Sequence, residues 1–559
     1  MTRRAAPSRR LADRRIRLLL VVFAAAFAAV FARAAWLQAV RAPALGELAA
    51  VQQRANVTKP AGRGTIFDRR GVPLALGRQA MTVYADPSRV QEPERVADAA
   101  EAALGVDSDE LVRPLSDPSR RFLYIARQAD PEHAATLGRK ELAGVGFYPE
   151  ELRIYPQREV GAHLLGYAGV DNRGLAGIEK QLDPILSGRP GEATVVKDPS
   201  GRLIDVVRGS DARQGEDVYL TIDHVLQSRT EAVLERLVSR RQAQSATAIV
   251  LDARSGGVLA MANAPSFDAN EFAATPPDWS RNRAVTDTFE PGSTFKVVTV
   301  AAALAERLVG PQTTFTLPPK IRLYDRTIRE DSRDETETMS VAEILSHSSN
   351  VGSVKLAQAL GSKRLDRWIR RFGFGRPTGI EYPGETPGIV LALEDWSGAT
   401  IGNVPIGQGI GVTPVQMAAA YGALANGGVW VQPHLVRRVS DDEPLRPRRQ
   451  RIMPRSVAAH VLSMLRAVVR EGSGYRAAVP GYQVAGKTGT AEKPDERGYG
   501  TEKYVSSFVG VVPGTDPRLV ILVLVDEPEG EYYGGKVAAP AFRELARFAL
   551  QYLEIPPDG

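Results

Sequence analysis

Cysteine is absent from all 559 residues. Disulfides, thiolate nucleophiles and cysteine-ligated metals are therefore excluded from the start. Histidine is nearly as scarce. His133, His163, His224, His347, His434 and His460 show no H-E-x-x-H or comparable metal-ligand spacing, so no metal centre is expected. A broadly basic surface is missing too. Seven arginines (Arg3, Arg4, Arg9, Arg10, Arg14, Arg15 and Arg17) stand against one acid, Asp13, in residues 1–17, and their excess accounts for the whole formal net charge of +6. The rest of the chain is neutral, which removes nucleic acid as a partner. Lysine contributes only 12 of the 71 basic side chains. Genome composition explains that arginine bias as well as heat adaptation does. With 24% charged and 43% hydrophobic residues the chain is globular in composition. Its length is too great for one core and calls for about three or four units.

The long uncharged apolar run that follows the arginine cluster covers Leu18–Ala32, and apolar character resumes after Arg33 through Leu37. Leu18 to Trp36 is 19 residues. As a helix that is roughly 28 Å, enough to cross a hydrocarbon core. Arginines on the N-terminal side put that end in the cytoplasm and everything after residue 37 outside, with Arg33 snorkelling and Trp36 at the far interface. A cleaved leader is the competing reading, because Ala32 to Ala34 fits a small-x-small site. Both readings export the rest of the chain.

The chemistry is organised around Glu290–Lys296 and the apolar run Val297–Ala305. Pro291 and Gly292 break the preceding segment, Ser293 is a favoured N-cap residue, and the run is apolar on every face, which predicts a buried helix with a serine and a lysine in its first turn. Positions i and i+3 share a face, so the amine of Lys296 lies within reach of the Ser293 hydroxyl. Burial is what would let such an amine lose its proton and act as a base. By itself the signal is weak: 29 serines and 12 lysines produce a Ser-x-x-Lys by chance about as often as not. It occurs once, and two partners strengthen it, Ser348-x-Asn350 and Lys487-Thr488-Gly489, the latter also present once.

Around these motifs the patterning predicts a hairpin at 63–75, acid-rich helices near 90–112 and 130–142, and strands within 191–222. It continues with strands at Ala246–Leu251 and Val258–Ala262, a polar stretch at 311–338, and helices opened by capping boxes at Ser340/Glu343 and Thr413/Gln416. A helix over Val351–Leu360 ends at Gly361. Residues 437–455, rich in Arg, Pro and Asp, read as a surface excursion. Strands at 483–491, Tyr504–Val512 and Leu519–Val525 precede a final helix at 538–553. Strands at both ends of this half suggest one antiparallel sheet covered by helices. Residues 38–57 read as a helical stalk.

Ser293-x-x-Lys296, Ser348-x-Asn350 and Lys487-Thr488-Gly489, in this order, resemble the motif set of the penicillin-recognising serine acyltransferases. Glu290-Pro-Gly, Gly407–Pro414 and Tyr532–Gly535 resemble that family as well, and Arg63, Asp68, Arg69 and Gly71 resemble the pedestal of class B penicillin-binding proteins. The serine-serine-asparagine form of the middle motif favours the septal, cell-division branch over the elongation type. The resemblance implies an α/β (α+β) fold: a cytoplasmic tail (1–17), a transmembrane anchor (18–37), an elongated α+β pedestal (38–220) and a penicillin-binding/β-lactamase-like transpeptidase domain (221–559). It further implies D,D-transpeptidation of peptidoglycan stem peptides, without cofactor, through Ser293 as nucleophile and Lys296 as proton acceptor. Ser348 would serve the leaving amine, Asn350 would hold Lys296 and substrate, and Lys487 would keep Lys296 neutral by repulsion. Thr488, Gly489 and Thr490 would bind the stem peptide and its carboxylate, with the N–H groups of Ser293 and Thr490 as oxyanion hole. β-Lactams and a membrane glycan polymerase with other division proteins are the implied partners. A hydrolase of the same fold and an idle β-lactam sensor or scaffold are the alternatives, which the pedestal, the anchor and the intact motif triplet argue against.

Overall fold

Helix α1 runs from Arg9 to Trp36 with neither glycine nor proline. It therefore begins nine residues before the expected span, because the arginines that precede the apolar run are themselves good helix formers. Within Asp13–Arg41 its best window reaches a mean hydropathy of 2.3, and Leu18, Leu19, Leu20, Phe23, Phe27 and Phe31 are exposed. The helix is long and apolar enough to cross a membrane. The guanidinium groups of Arg33 and Arg41 lie 5.0 and 4.9 Å from the Trp36 ring.

The computed structural model describes residues 9–41, 54–59, 61–197, 203–331, 333–494, 498–500 and 502–559. The beginning of the basic tail and the middle of the expected stalk lie outside these residues. The ends of that stalk are not α-helical: Leu37–Arg41 forms a π-helical turn and Arg54–Lys59 a strand. Val57 and Thr58 are β-branched, and pairing with Gly191–Lys197 overrides the helical composition. The chain divides into two compact units, residues 1–61 with 189–213 and residues 62–188 with 214–559. In the first unit, Arg54–Lys59, Gly191–Lys197 and Leu203–Gly209 make a three-stranded antiparallel sheet in that order.

In the second unit the predicted hairpin at 63–75 is present. Ile66–Phe67 pairs with Pro73–Ala85, which also pairs with Leu123–Ala129 and Val145–Ile154. The acid-rich stretches are helices Pro93–Leu104, Ser108–Leu115 and Pro131–Gly138, and they bury Val83, Ala97, Leu111, Ile125 and Leu137 together. Gly105, left-handed at φ +70°, splits the first stretch in two. An ionic knot fastens this part. Glu179 accepts from Arg63 Nε at 2.6 Å and from Arg153 Nε at 2.7 Å, and Arg63 Nη1 reaches Asp183 Oδ1 at 2.7 Å. Arg63, Arg153 and Glu179 are all buried, so each charge depends on its partners for the solvation it has lost.

The C-terminal part holds the expected antiparallel sheet. Helix α2 (His224–Arg241), capped by Asp223, leads into β1 (Ser245–Asp252) and β2 (Val258–Ala264). A short 3-10 turn, Gly292–Phe295, opens α3 (Lys296–Ala305), and α4 (Val341–Ser346), α5 (Asn350–Leu360), α6 (Pro414–Ala425) and α7 (Arg455–Arg470) follow. The sheet is completed by β3 (Ala485–Glu492), β4 (Tyr504–Val512) and β5 (Leu519–Asp526), and α8 (Gly534–Tyr552) closes the chain. Its strand order is β2-β1-β5-β4-β3, antiparallel throughout. Alternate residues serve two cores. Ala248, Val250, Ile521 and Val523 pack with α2 and α8, while Ile249, Leu251, Val520 and Leu522 pack with α3, α6 and α7. Burial on both faces explains why these strands read as continuous apolar runs.

Two expectations need correction. The polar stretch 311–338 contains two small hairpins, Thr314–Leu317 with Glu337–Ser340 and Lys320–Leu323 with Arg326–Arg329. The surface excursion at 437–455 is partly built into sheets, Val436–Val439 pairing with Val218–Leu220 and Arg449–Arg451 with Val429–Val431. In both regions backbone hydrogen bonds form strands whose side chains are largely solvated, so the apolar alternation that signals a strand is missing.

Candidate active site

Three elements converge where β3 passes the start of α3. Gly292 holds a left-handed backbone (φ +53°), donates its N–H to Gly407 O at 3.0 Å, and lies so close to that loop that a Cβ on Gly407 would sit 2.1 Å from Gly292 O. This turn presents Ser293 half-buried at the head of the buried α3. Ser293 is not the N-cap it was expected to be. The 3-10 turn already begins at Gly292, so the hydroxyl is free of capping and accepts a hydrogen bond from Ser348 Oγ at 3.0 Å.

Ser348 is itself left-handed, φ +61°, an uncommon conformation for serine that persists only where the surroundings impose it. That conformation turns both its carbonyl and its hydroxyl toward Lys296. Lys296 Nζ donates to Ser348 O at 2.5 Å, to Asn350 Oδ1 at 2.6 Å and to Ser348 Oγ at 3.2 Å. The hydrogen-bonded connection between Ser293 and Lys296 thus runs through Ser348 and not directly between them as the i, i+3 spacing suggested. Asn350 Nδ2 donates outward to Arg329 O at 2.9 Å and Asp331 Oδ1 at 3.1 Å, which fixes which end of its amide faces the lysine.

Lys296 is fully buried, and burial brings its pKa down to about 8, against the attraction of Asp331 and Glu330 and with the repulsion of Arg333. Lys487, on β3, is also fully buried, and burial followed by repulsion from Lys296 pushes it well below the ordinary lysine value. The two amines thus repel each other as expected, and the lowering by repulsion falls on Lys487. Lys296 has three acceptors, whereas the hydrogen bond of Lys487 Nζ is a long one to Thr488 O, 3.4 Å. Of two competing cations, the one with acceptors is the better held in its charged form.

β3 is an edge strand, so one side of Lys487–Thr490 is unpaired by the sheet. Thr488 Oγ1 pairs with Ser473 Oγ at 2.8 Å, and Thr490 Oγ1 accepts from Gly534 N at 3.0 Å, leaving its proton available. Gly489 is obligatory: a Cβ there would meet Ser507 Oγ at 2.3 Å and Pro291 O at 2.9 Å. Tyr504, Tyr532 and Tyr533 stack in succession near the strand, with centroids 4.0 and 4.7 Å apart. A cavity of about 640 Å³ lined by Phe289, Glu290, Ile410, Ala491 and Val505 lies beyond the strand's far end and does not include Ser293.

All eight residues singled out from the sequence (Ser293, Lys296, Ser348, Asn350, Lys487, Thr488, Gly489 and Thr490) therefore meet in one place. Sequence reasoning missed Glu330, Asp331 and Ser473. The acids nearest the motifs in sequence, Glu290, Glu343 and Glu492, are occupied elsewhere. Glu290 accepts from Gly409 N and the Tyr499 hydroxyl, Glu343 sits in its capping box, and Glu492 accepts from Gly500 N. Glu330 and Asp331 approach from the hairpin that was read as a polar stretch. No periodicity marked them.

A family model, the penicillin binding protein transpeptidase domain, matches residues 246–547, and the penicillin-binding protein dimerisation domain matches residues 58–220. The chain belongs to the penicillin-binding protein transpeptidases. Similar relatives in the family include the peptidoglycan D,D-transpeptidase FtsI of Escherichia coli K12, 34% identical over 98% of this chain and 93% of that one. The probable peptidoglycan D,D-transpeptidase PbpC of Pseudomonas aeruginosa is 36% identical over 98% and 97%. Among solved structures, penicillin binding protein 3 of Mycobacterium tuberculosis in complex with aztreonam superposes with a TM-score of 0.72 at 29% identity, covering 90% of this chain and 98% of that one. A peptidoglycan synthetase of Bifidobacterium adolescentis gives 0.75 at 28%, with coverage of 90% and 98%. This penicillin-binding protein is of the class B type: both relatives match over 98% of its length.

Proposed function

We propose that this chain is the peptidoglycan D,D-transpeptidase of a septal cell-wall machinery, with Ser293 as its nucleophile, and that β-lactams acylate the same hydroxyl. The observation that carries the reading is the relay Ser293–Ser348–Lys296, a serine hydroxyl connected to a buried amine whose pKa lies near 8. Ser293 Oγ attacks the carbonyl of the penultimate D-alanine and its proton passes toward Lys296. The peptide bond breaks, the amine of the terminal D-alanine leaves with a proton delivered through Ser348, and an ester to Ser293 remains. An amine of a second stem then attacks that ester, forms the cross-link and returns the hydroxyl. The free edge of β3 suits an extended stem peptide, which adds as one more strand, and the Thr488 and Thr490 hydroxyls suit its terminal carboxylate. The backbone N–H groups of Ser293 and Thr490 are proposed to hold the oxyanion.

The division into pedestal (38–220) and transpeptidase domain (221–559), the docking of a membrane glycan polymerase on the pedestal, and an inner-membrane topology with the arginine tail in the cytoplasm belong to the same proposal. The test of the site is intact-mass measurement after penicillin exposure, with peptide mapping of the adduct. A single penicilloyl group on Ser293 is expected, and an adduct on another serine overturns the assignment. Topology is checked by single cysteines placed in the tail and on the pedestal, an unambiguous probe because the chain has none of its own.

A further inference from the structure

Ser348 and Asn350 are useful only if something holds their segment in its strained shape. We propose that Glu330 is the positioning residue that does so, its carboxylate clamping Ser349, Asn350 and Val351 so that the hydroxyl of Ser348 and the amide of Asn350 meet Ser293 and Lys296. The proposal rests on the assignment of those four residues made above.

Glu330 follows the strand Arg326–Arg329 directly, and its backbone N–H is fixed on Pro319 O at 2.9 Å. Its side chain is only 5% exposed. Both carboxylate oxygens are used. Oε1 accepts from Ser349 Oγ at 2.5 Å, Val351 N at 3.2 Å and Arg333 Nη2 at 2.9 Å, and Oε2 accepts from Asn350 N at 2.9 Å. Ser349, fully buried, also caps α5 by accepting from Gly352 N at 2.9 Å. The carboxylate therefore satisfies the otherwise orphaned N–H groups at the start of α5 from outside the helix. The residue immediately before this clamp is the left-handed Ser348, whose conformation needs such over-determination. The adjacent Asp331, with Arg329 O, holds the other end of the Asn350 amide. One turn, Arg329–Asp331, thus sets both the backbone and the side-chain orientation of the middle motif.

The clamp is also an electrostatic element. The charged groups that act on Lys296 are Asp331, Glu330 and Arg333, and Lys296 in turn acts on Lys487. Removing the charge of Glu330 lets Lys296 lose its proton at lower pH, whereas shortening the side chain at constant charge disturbs geometry alone.

The two effects are separated by measuring the acylation rate constant of the full-length protein in detergent with penicillin G between pH 6 and 10, per active site titrated with fluorescent penicillin. For Glu330→Gln the plateau rate is expected to fall by about tenfold to a hundredfold, and the midpoint of the profile to move down by about half a pH unit. Glu330→Asp should lower the plateau with the midpoint unmoved. Asp331→Asn should move the midpoint in the same direction as Glu330→Gln with a smaller loss of rate. A Glu330→Gln protein that yields fewer titratable sites but acylates each at the wild-type rate and midpoint overturns the proposal, since that is the behaviour of a merely structural residue. If Glu330→Gln does not fold, a Glu330→Asp plateau equal to wild type overturns it. Wild-type protein that carries the penicilloyl group on another serine overturns the site assignment and this proposal with it, an outcome that peptide mapping distinguishes from slow labelling at Ser293.

Discussion

The pH dependence of acylation tests the proposed base most directly. Lys296 falls from the ordinary 10.5 to about 8 on burial. The neutral fraction of its amine is then about 1% at pH 6, about 9% at pH 7 and half at pH 8, so the pKa change raises the reactive fraction at pH 7 roughly 300-fold, worth about 3 kcal/mol. The rate constant for acylation of Ser293 should accordingly rise about tenfold from pH 6 to 7, about fivefold from 7 to 8 and less than about twofold beyond pH 8. The sign follows from the charge: protonation removes the acceptor, so activity is lost as pH falls through the folded-state value. Quenched time courses with fluorescent penicillin measure it. A rate that keeps climbing tenfold per unit up to pH 10 would show that burial does not depress Lys296, and a profile flat from pH 6 to 9 would remove Lys296 as the base. Lys296→Arg supplies the control. A guanidinium keeps the charge but does not give up its proton, so the variant should bind penicillin without being acylated.

Replacing Lys487 by Met should abolish acylation yet stabilise the fold by about 1–3 kcal/mol, because a fully buried amine with one long hydrogen bond gives way to a well-packed apolar chain; a lowered thermal midpoint would contradict this. Glu179→Gln leaves the buried Arg63 and Arg153 without their shared anion and should cost about 3–5 kcal/mol. Wild-type resistance of residues 62–188 to limited proteolysis in that variant would refute the role of the knot. The penicilloyl-enzyme should persist for many minutes, since Glu290, Glu343, Glu492 and Glu330 are all engaged by donors and the acid left near the site, Asp331, is tied to Asn350. Steady consumption of excess penicillin within seconds would refute this, and its loss in Asp331→Asn would identify the base responsible.

Much of this structure could be read from residue order alone, for reasons that differ between its parts. Strands β1, β2, β4 and β5 announce themselves because both of their faces are buried. The boxes at Ser340/Glu343 and Thr413/Gln416 form as written, since a cap involves only four consecutive residues. The eight motif residues could be picked out because their order and spacing match a known family pattern. Glu330 and Asp331 could not be found this way. They reach Asn350 from 20 and 19 residues upstream, from the end of a hairpin of polar strands, and hydrogen bonds between distant backbone segments leave no period in the sequence. The acceptors that face Lys296 and leave Lys487 with one long hydrogen bond were equally hidden.

The central strand β5 comes later in the chain than every other strand of its sheet, and this has a consequence for biosynthesis. β1 finds no partner on that side until residues 519–526 exist, 267 or more positions further along for each pair. β3, with Lys487, joins β1 only through β4 and β5. A nascent chain thus carries Ser293 long before it can possess a working site, and a chain interrupted before residue 519 holds two separate pairs of strands in place of a reduced enzyme. Pairings this distant close slowly. The arrangement makes the assembled sheet depend on its latest strand: no chain that stops before residue 519 can join the strand of Lys487 to the rest.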